Sequence, residues 1–162
     1  MRRTVADDCR TLPFRPEQVW AALADFDNYP RWWPAELRLR VLEVKPALVG
    51  SRFEVRPRGG NFVCEVERVA PGREMVIAYV EGVHKGSGIW ALEPAEGGTR
   101  VRYAVDLEPV GWLVRLLSNV IDFGSIHSRA MGRLFDGLEG WIKRSGGCTT
   151  PFSRPAPEER LS

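Results

Sequence analysis

Phe14-Arg15-Pro16-Glu17-Gln18-Val19-Trp20-Ala21-Ala22-Leu23, followed directly by Asp25-Phe26-Asp27-Asn28-Tyr29-Pro30-Arg31-Trp32-Trp33, is the stretch on which the architecture turns. Pro16 suits the first turn of a helix, where a missing N–H costs nothing, and Glu17 sits where the helix dipole favours an acid. Val19, Trp20 and Leu23 share one face at helical spacing. Asp25 to Trp33 reads as a second short helix, bounded by Pro30 and Pro34. Upstream, Thr4 to Leu12 reads as a strand ending at Pro13. Two small helices therefore follow directly on a first strand.

Downstream of this stretch the period changes to two. Leu37, Leu39 and Val41 alternate with Arg38 and Arg40, and Phe53 and Val55 with Glu54, Arg56 and Arg58. After the turn signal Gly59-Gly60-Asn61, Phe62, Cys64 and Val66 alternate with Glu65 and Glu67. Strands are expected at Glu74 to Glu81, Lys85 to Glu93 and Thr99 to Leu107, separated by Pro71-Gly72, Gly82 and Glu96-Gly97-Gly98. Short turns with no intervening helix predict an antiparallel meander. After Pro109 and Gly111 the period becomes helical until about Arg144. Leu113, Leu117, Val120, Gly124, His127, Met131, Leu134, Leu138 and Trp141 recur at steps of three and four, about nine turns in all, with Gly124-Ser125 a candidate kink. The 146–162 segment has no periodicity and is expected to be a disordered tail.

The sum is an α+β chain: a curved antiparallel sheet of about seven strands with one long C-terminal helix to cover its apolar face. Such a sheet need not close on the helix, and the gap becomes a cavity with the two short helices at its mouth. The length of 162 residues suits one domain, expected over 1–145. A charge of +2, from 23 Lys and Arg against 21 Asp and Glu, provides no electrostatic case for nucleic acid. No window approaches the roughly 18–20 apolar residues of a spanning helix, and Asp7 and Asp8 interrupt any signal peptide. Cys9, Cys64 and Cys148 are scattered, as expected of thiols in a reducing compartment. A cytoplasmic monomer or homodimer is expected.

Phe14 to Trp20 and Asp25 to Trp33 resemble the START-like superfamily, also called SRPBCC, and within it the polyketide cyclase/dehydrase branch. Trp90-Ala91-Leu92-Glu93-Pro94, followed by Gly98-Thr99-Arg100-Val101, is similar to the paired strands before that family's final helix. The likeness covers roughly residues 4–144. It implies a helix-grip fold around a deep, mostly apolar cavity. Members bind lipids, sterols, polyketides or plant hormones; some catalyse cyclisation or dehydration, and others are carriers or accessory proteins. Fold restricts shape more than chemistry here.

Six Trp and seven Phe stand beside two His. Strand parity turns Phe53, Phe62, Tyr79, Trp90 and Tyr103 toward one face, and with Trp32 and Trp33 they are candidates to line a single cavity. Tyr79 and Tyr103 carry hydroxyls that need partners when buried, so either can orient a ligand oxygen. His127 lies on the apolar stripe of the long helix beside Met131. His84 has the parity of Trp90 and Leu92, so both histidines are expected to face the gap. His84, His127 and Tyr103 are the candidates for proton chemistry. Cys64 faces inward and is the one soft ligand candidate, but no ligand spacing supports a metal, and no metal or cofactor is expected. Asn119, Asp122, Glu81 and Arg102 are further polar candidates, and Arg38, Arg40, Arg52, Arg56 and Arg58 read as a wet basic outer face. No phosphate loop, nucleophile elbow or suggestively spaced acid pair is present. The function expected is binding of a hydrophobic small molecule such as a lipid, polyketide or quinone. The alternatives are a cyclase/dehydrase-type enzyme or an accessory protein that presents a lipid or quinone.

Overall fold

The computed structural model describes residues 3–58, 60–112, 116 and 123–146. Seven strands form one antiparallel sheet: β1 (Thr4–Leu12), β2 (Leu39–Glu43), β3 (Arg52–Val55), β4 (Phe62–Ala70), β5 (Glu74–Gly82), β6 (His84–Ala95) and β7 (Gly98–Pro109). Their spatial order is β1-β7-β6-β5-β4-β3-β2, so the meander runs without a break from β2 to β7 and β1 joins at its far edge. Thr4 stands opposite Leu107 and Leu12 opposite Thr99 along the whole β1–β7 ladder. The inner face follows the alternation: Phe53, Val55, Cys64, Val66, Tyr79, Trp90, Leu92, Val101, Tyr103, Val105 and Leu107 are all buried.

The first helix, α1 (Pro16–Ala24), starts at the predicted proline, and the Gln18 side-chain oxygen accepts the Arg15 backbone N–H at 3.0 Å. Val19 and Leu23 are buried. The second predicted helix, Asp25 to Trp33, is divided: a 3-10 turn over Phe26–Asn28 gives way to α2 (Tyr29–Trp32). Pro30 has no N–H and fits only a first turn, so the helix restarts there. The strand read from Leu37 begins at Leu39, because Pro34 opens a 3-10 turn over Ala35–Leu37 that ends on a left-handed Arg38, φ 40°.

The long helix is described as α3 (Phe123–Ser145), 23 residues, with Met131, Leu134, Phe135, Leu138 and Ile142 buried. It packs on β1, α1 and α2. The earlier part of the predicted helix, including Leu113, Leu117, Val120, Asn119 and Asp122, lies outside the described residues, as does the predicted tail beyond Gly146. Among the described residues no helix is long and apolar enough to cross a membrane.

Candidate functional site

Four elements place polar side chains together on the inner face. Tyr79 on β5 and Tyr103 on β7 are separated by β6 but their hydroxyls meet at 3.0 Å. β6 allows this because Gly88 stands between them: a Cβ at that position would lie 2.4 Å from the Tyr103 hydroxyl. The Tyr103 ring packs on Trp90 at 4.5 Å and stacks on His127 of α3 at 5.9 Å, with the planes 13° apart. Phe62 lies against Tyr79 at 5.0 Å, and Phe135 meets the edge of Trp90 at 6.2 Å. Cys64 is opposite Tyr79 in the β4–β5 register and is buried. Met131, one helical turn beyond His127, is buried as well.

β1 contributes the remaining group. Asp8 is opposite Tyr103 in register, and its Oδ2 lies 3.4 Å from Nδ1 of His127. Both atoms are buried, and the contact is too poorly aligned to count as a hydrogen bond, so each lacks one. Two residues along, Arg10 also reaches α3: it pairs with Asp136, donates to the Gly132 carbonyl at 3.2 Å and lies 5.4 Å over the Phe135 ring.

Burial sets the protonation of the cluster. It pushes the Tyr79 and Tyr103 phenols well above their ordinary range, so both remain neutral donors. Burial likewise raises the Cys64 thiol, which opposes the thiolate that a nucleophile or metal ligand needs. Among the described residues no group of three or more His, Cys, Asp or Glu side chains is arranged to hold a metal ion. His127 is lowered by burial, against which the Asp8 carboxylate raises it. His84, partly buried at the start of β6, is lowered by burial and then by the charge of His127. The sign follows. Groups depressed below 6.5 bind protons more readily in the unfolded chain, so their stability contribution is complete above pH 6.5 and is lost as pH falls through the folded values. Thermal melts should therefore show the melting temperature falling below about pH 6.5, before most carboxylates titrate, and H84Q/H127Q should flatten that limb.

The mouth aromatics pack on one another within the common core. Among the described residues, Trp32, Trp33 and Phe53 make their ring contacts with one another, Tyr29 and Phe26. Tyr29 is fully buried at the centre and donates to the Leu23 carbonyl at 2.6 Å. The aromatics expected to line one cavity belong to one continuous core, within which the α1–α2 turn sets Trp32 and Trp33 against Phe53 of β3.

The basic outer face is neutralised where ion pairs form. Arg40 and Arg56 share Glu54, Arg52 contacts Glu65 and Glu81, and Arg102 pairs with Asp7. Among the described residues, surface depressions of about 150 Å³ beside Gln18, Asp25 and Trp141 and of about 320 Å³ over Asp7, Glu93, Arg100 and Arg102 lie elsewhere. Neither contains the Tyr–His cluster. Cys9 and Cys64 are free thiols.

The sequence profile described as polyketide cyclase / dehydrase and lipid transport matches residues 3–138. The chain belongs to that family. Solved structures agree on the fold of this cyclase/dehydrase family member. The Zhui aromatase/cyclase from Streptomyces sp. R1128 is 14% identical, with 90% of this chain and 96% of that one covered and a TM-score of 0.70. A protein from Thermus thermophilus is 20% identical over 87% and 98% of the two chains, TM-score 0.69. A START superfamily protein from Mycobacterium smegmatis is 18% identical over 86% and 97%, TM-score 0.64. No curated protein matches the sequence.

Within this family member, the residues that sequence reasoning passed over are Asp8, Arg10 and Gly88. Alternation along β1 puts Asp8 and Arg10 on the face of Ala6 and Leu12, so their parity was legible, but not their partners. Gly88 reads as a strand weakness until the Tyr103 hydroxyl is seen to fill its missing side chain.

Proposed function

We propose that the protein binds an apolar small molecule of the lipid, polyketide or quinone class between the inner face of the sheet and the C-terminal helix. Trp90, Phe62, Cys64 and Met131 supply apolar contacts, and Tyr79, Tyr103, His84 and His127 the polar ones. One observation carries this reading: a hydroxyl pair and a stacked imidazole converge on a mostly apolar face. Ligand sites combine apolar walls with a few placed polar groups in this way. Trp32, Trp33 and Phe53 brace the mouth. Titration with N-phenyl-1-naphthylamine tests it. Saturable one-to-one binding at micromolar concentration, displaced by a long-chain fatty acid or a quinone, is the expected result. A folded protein that shows no saturable uptake of the probe overturns it.

The contact between Asp8 and His127 favours a second reading, an enzyme of the cyclase/dehydrase manner in which His127 accepts a proton from a poly-carbonyl ligand and a neutral Tyr103 donates to its oxygen. H127Q should then abolish turnover of such a substrate while leaving probe affinity within about threefold. The protein acts in the cytoplasm as a monomer or homodimer.

A further inference from the structure

Asp8 and His127 are a pair that the binding reading uses only in part. The residues come from opposite layers, β1 and α3, so neither helix periodicity nor strand alternation requires them to meet. Yet Oδ2 and Nδ1 face each other at 3.4 Å, both buried and both without a hydrogen bond. Their side chains are 18% and 19% exposed, so the pair is shielded but still within reach of a bound molecule. Among the described residues the ring also stacks on Tyr103, and its charge lowers the pKa of His84.

An ionised carboxylate only accepts hydrogen bonds, so the ring nitrogen that faces it is the one that carries hydrogen. In a neutral imidazole the other nitrogen then keeps its lone pair. We infer that Asp8 is a positioning residue: its carboxylate holds His127 in the tautomer with hydrogen on Nδ1, so that Nε2 accepts a hydrogen bond from the hydroxyl of a phenolic or enolic ligand. The inference rests on the binding reading above and narrows it, since a hydrocarbon chain without a donor leaves Nε2 unmatched. Burial of His127 keeps the ring neutral near pH 7, the state in which the tautomer matters. The Tyr79–Tyr103 pair adds a complementary donor: one hydroxyl is used within the pair, and the second proton is left for a ligand oxygen.

Nitrogen-15 NMR of the full chain and two probes test it. In the wild type, the His127 shifts should report hydrogen on Nδ1, and D8N should scramble that preference and lower the His127 titration midpoint. 2-Naphthol should bind about tenfold more tightly than 2-methoxynaphthalene, which has the same rings and no donor, and D8N and H127Q should each erase that difference. H127Q serves as the second variant should D8N fold poorly. Hydrogen on Nε2 in the wild type, or a titration that D8N leaves unmoved, overturns the positioning role. Equal affinity for the two probes overturns the ligand class and leaves the apolar site standing. Failure of both to bind overturns the site and this assignment together.

Discussion

Replacing Gly137 with alanine is expected to lower the melting temperature by about 4–8 °C, whereas the same replacement at Gly132, five residues earlier on the same helix, should raise it slightly. At position 137 a Cβ would lie 2.1 Å from the carbonyl oxygen of Trp32, so the backbones of α3 and α2 approach each other directly there. The obstacle is a carbonyl of a short helix pinned by Tyr29, Trp33 and Phe53 and has no rotamer to escape into. Overpacking of this kind costs about 3 kcal/mol at the upper end of its usual range, and the helix propensity of alanine returns about 1, leaving a net loss of about 2 kcal/mol. At Gly132 nothing lies within 4 Å of the added atom, so only the propensity gain of up to about 1 kcal/mol remains. Differential scanning calorimetry of the two variants decides it: equal shifts would mean that the α2–α3 approach is looser than the 2.1 Å separation requires.

Alanine at Gly88 should destabilise the fold by about 2–3 kcal/mol and weaken apolar-probe binding about tenfold, with part of both losses recovered by adding Tyr103→Phe. The new methyl would meet the Tyr103 hydroxyl at 2.4 Å and its Cζ at 2.9 Å. Tyr103 has little room to retreat, since Trp90 and His127 hold its ring and Tyr79 its hydroxyl. The methyl therefore breaks the hydroxyl pair and tilts the stack. Removing the Tyr103 hydroxyl relieves the nearest clash, though Cζ remains tight, so G88A/Y103F should be more stable than G88A by about 1 kcal/mol. Chemical denaturation and probe titration of both single variants and the double form the cycle. Strictly additive effects would show that Gly88 is not the space in which the hydroxyl sits.

Much of the fold was legible because each element obeys a local period. The seven strands alternate against one apolar face, and Pro16, Pro30 and Pro34 mark where helices begin or restart. Boundaries moved where two local rules competed: the Pro34 turn displaced the start of β2 to Leu39, and Pro30 divided the second helix. The site was legible only in part. Parity pointed Tyr79, Trp90, Tyr103 and Cys64 inward, and they are buried. It did not show that Trp32 and Trp33 contact Tyr29 and Phe53 while Tyr103 stacks on His127, since a period says which face a residue takes and not where along the sheet it lies.

By itself, then, the sequence determined which residues turn inward, the order of elements and the need for one long helix to cover the sheet. These are consequences of burial acting over short separations along the chain. Only the tertiary structure decided which inward residues meet. The hydroxyls of Tyr79 and Tyr103 join across an intervening strand through the space at Gly88, Asp8 reaches His127 across two layers, and Gly137 admits the Trp32 carbonyl. Each depends on the register and separation of elements far apart in the chain, which close packing of the whole core sets and no local pattern encodes.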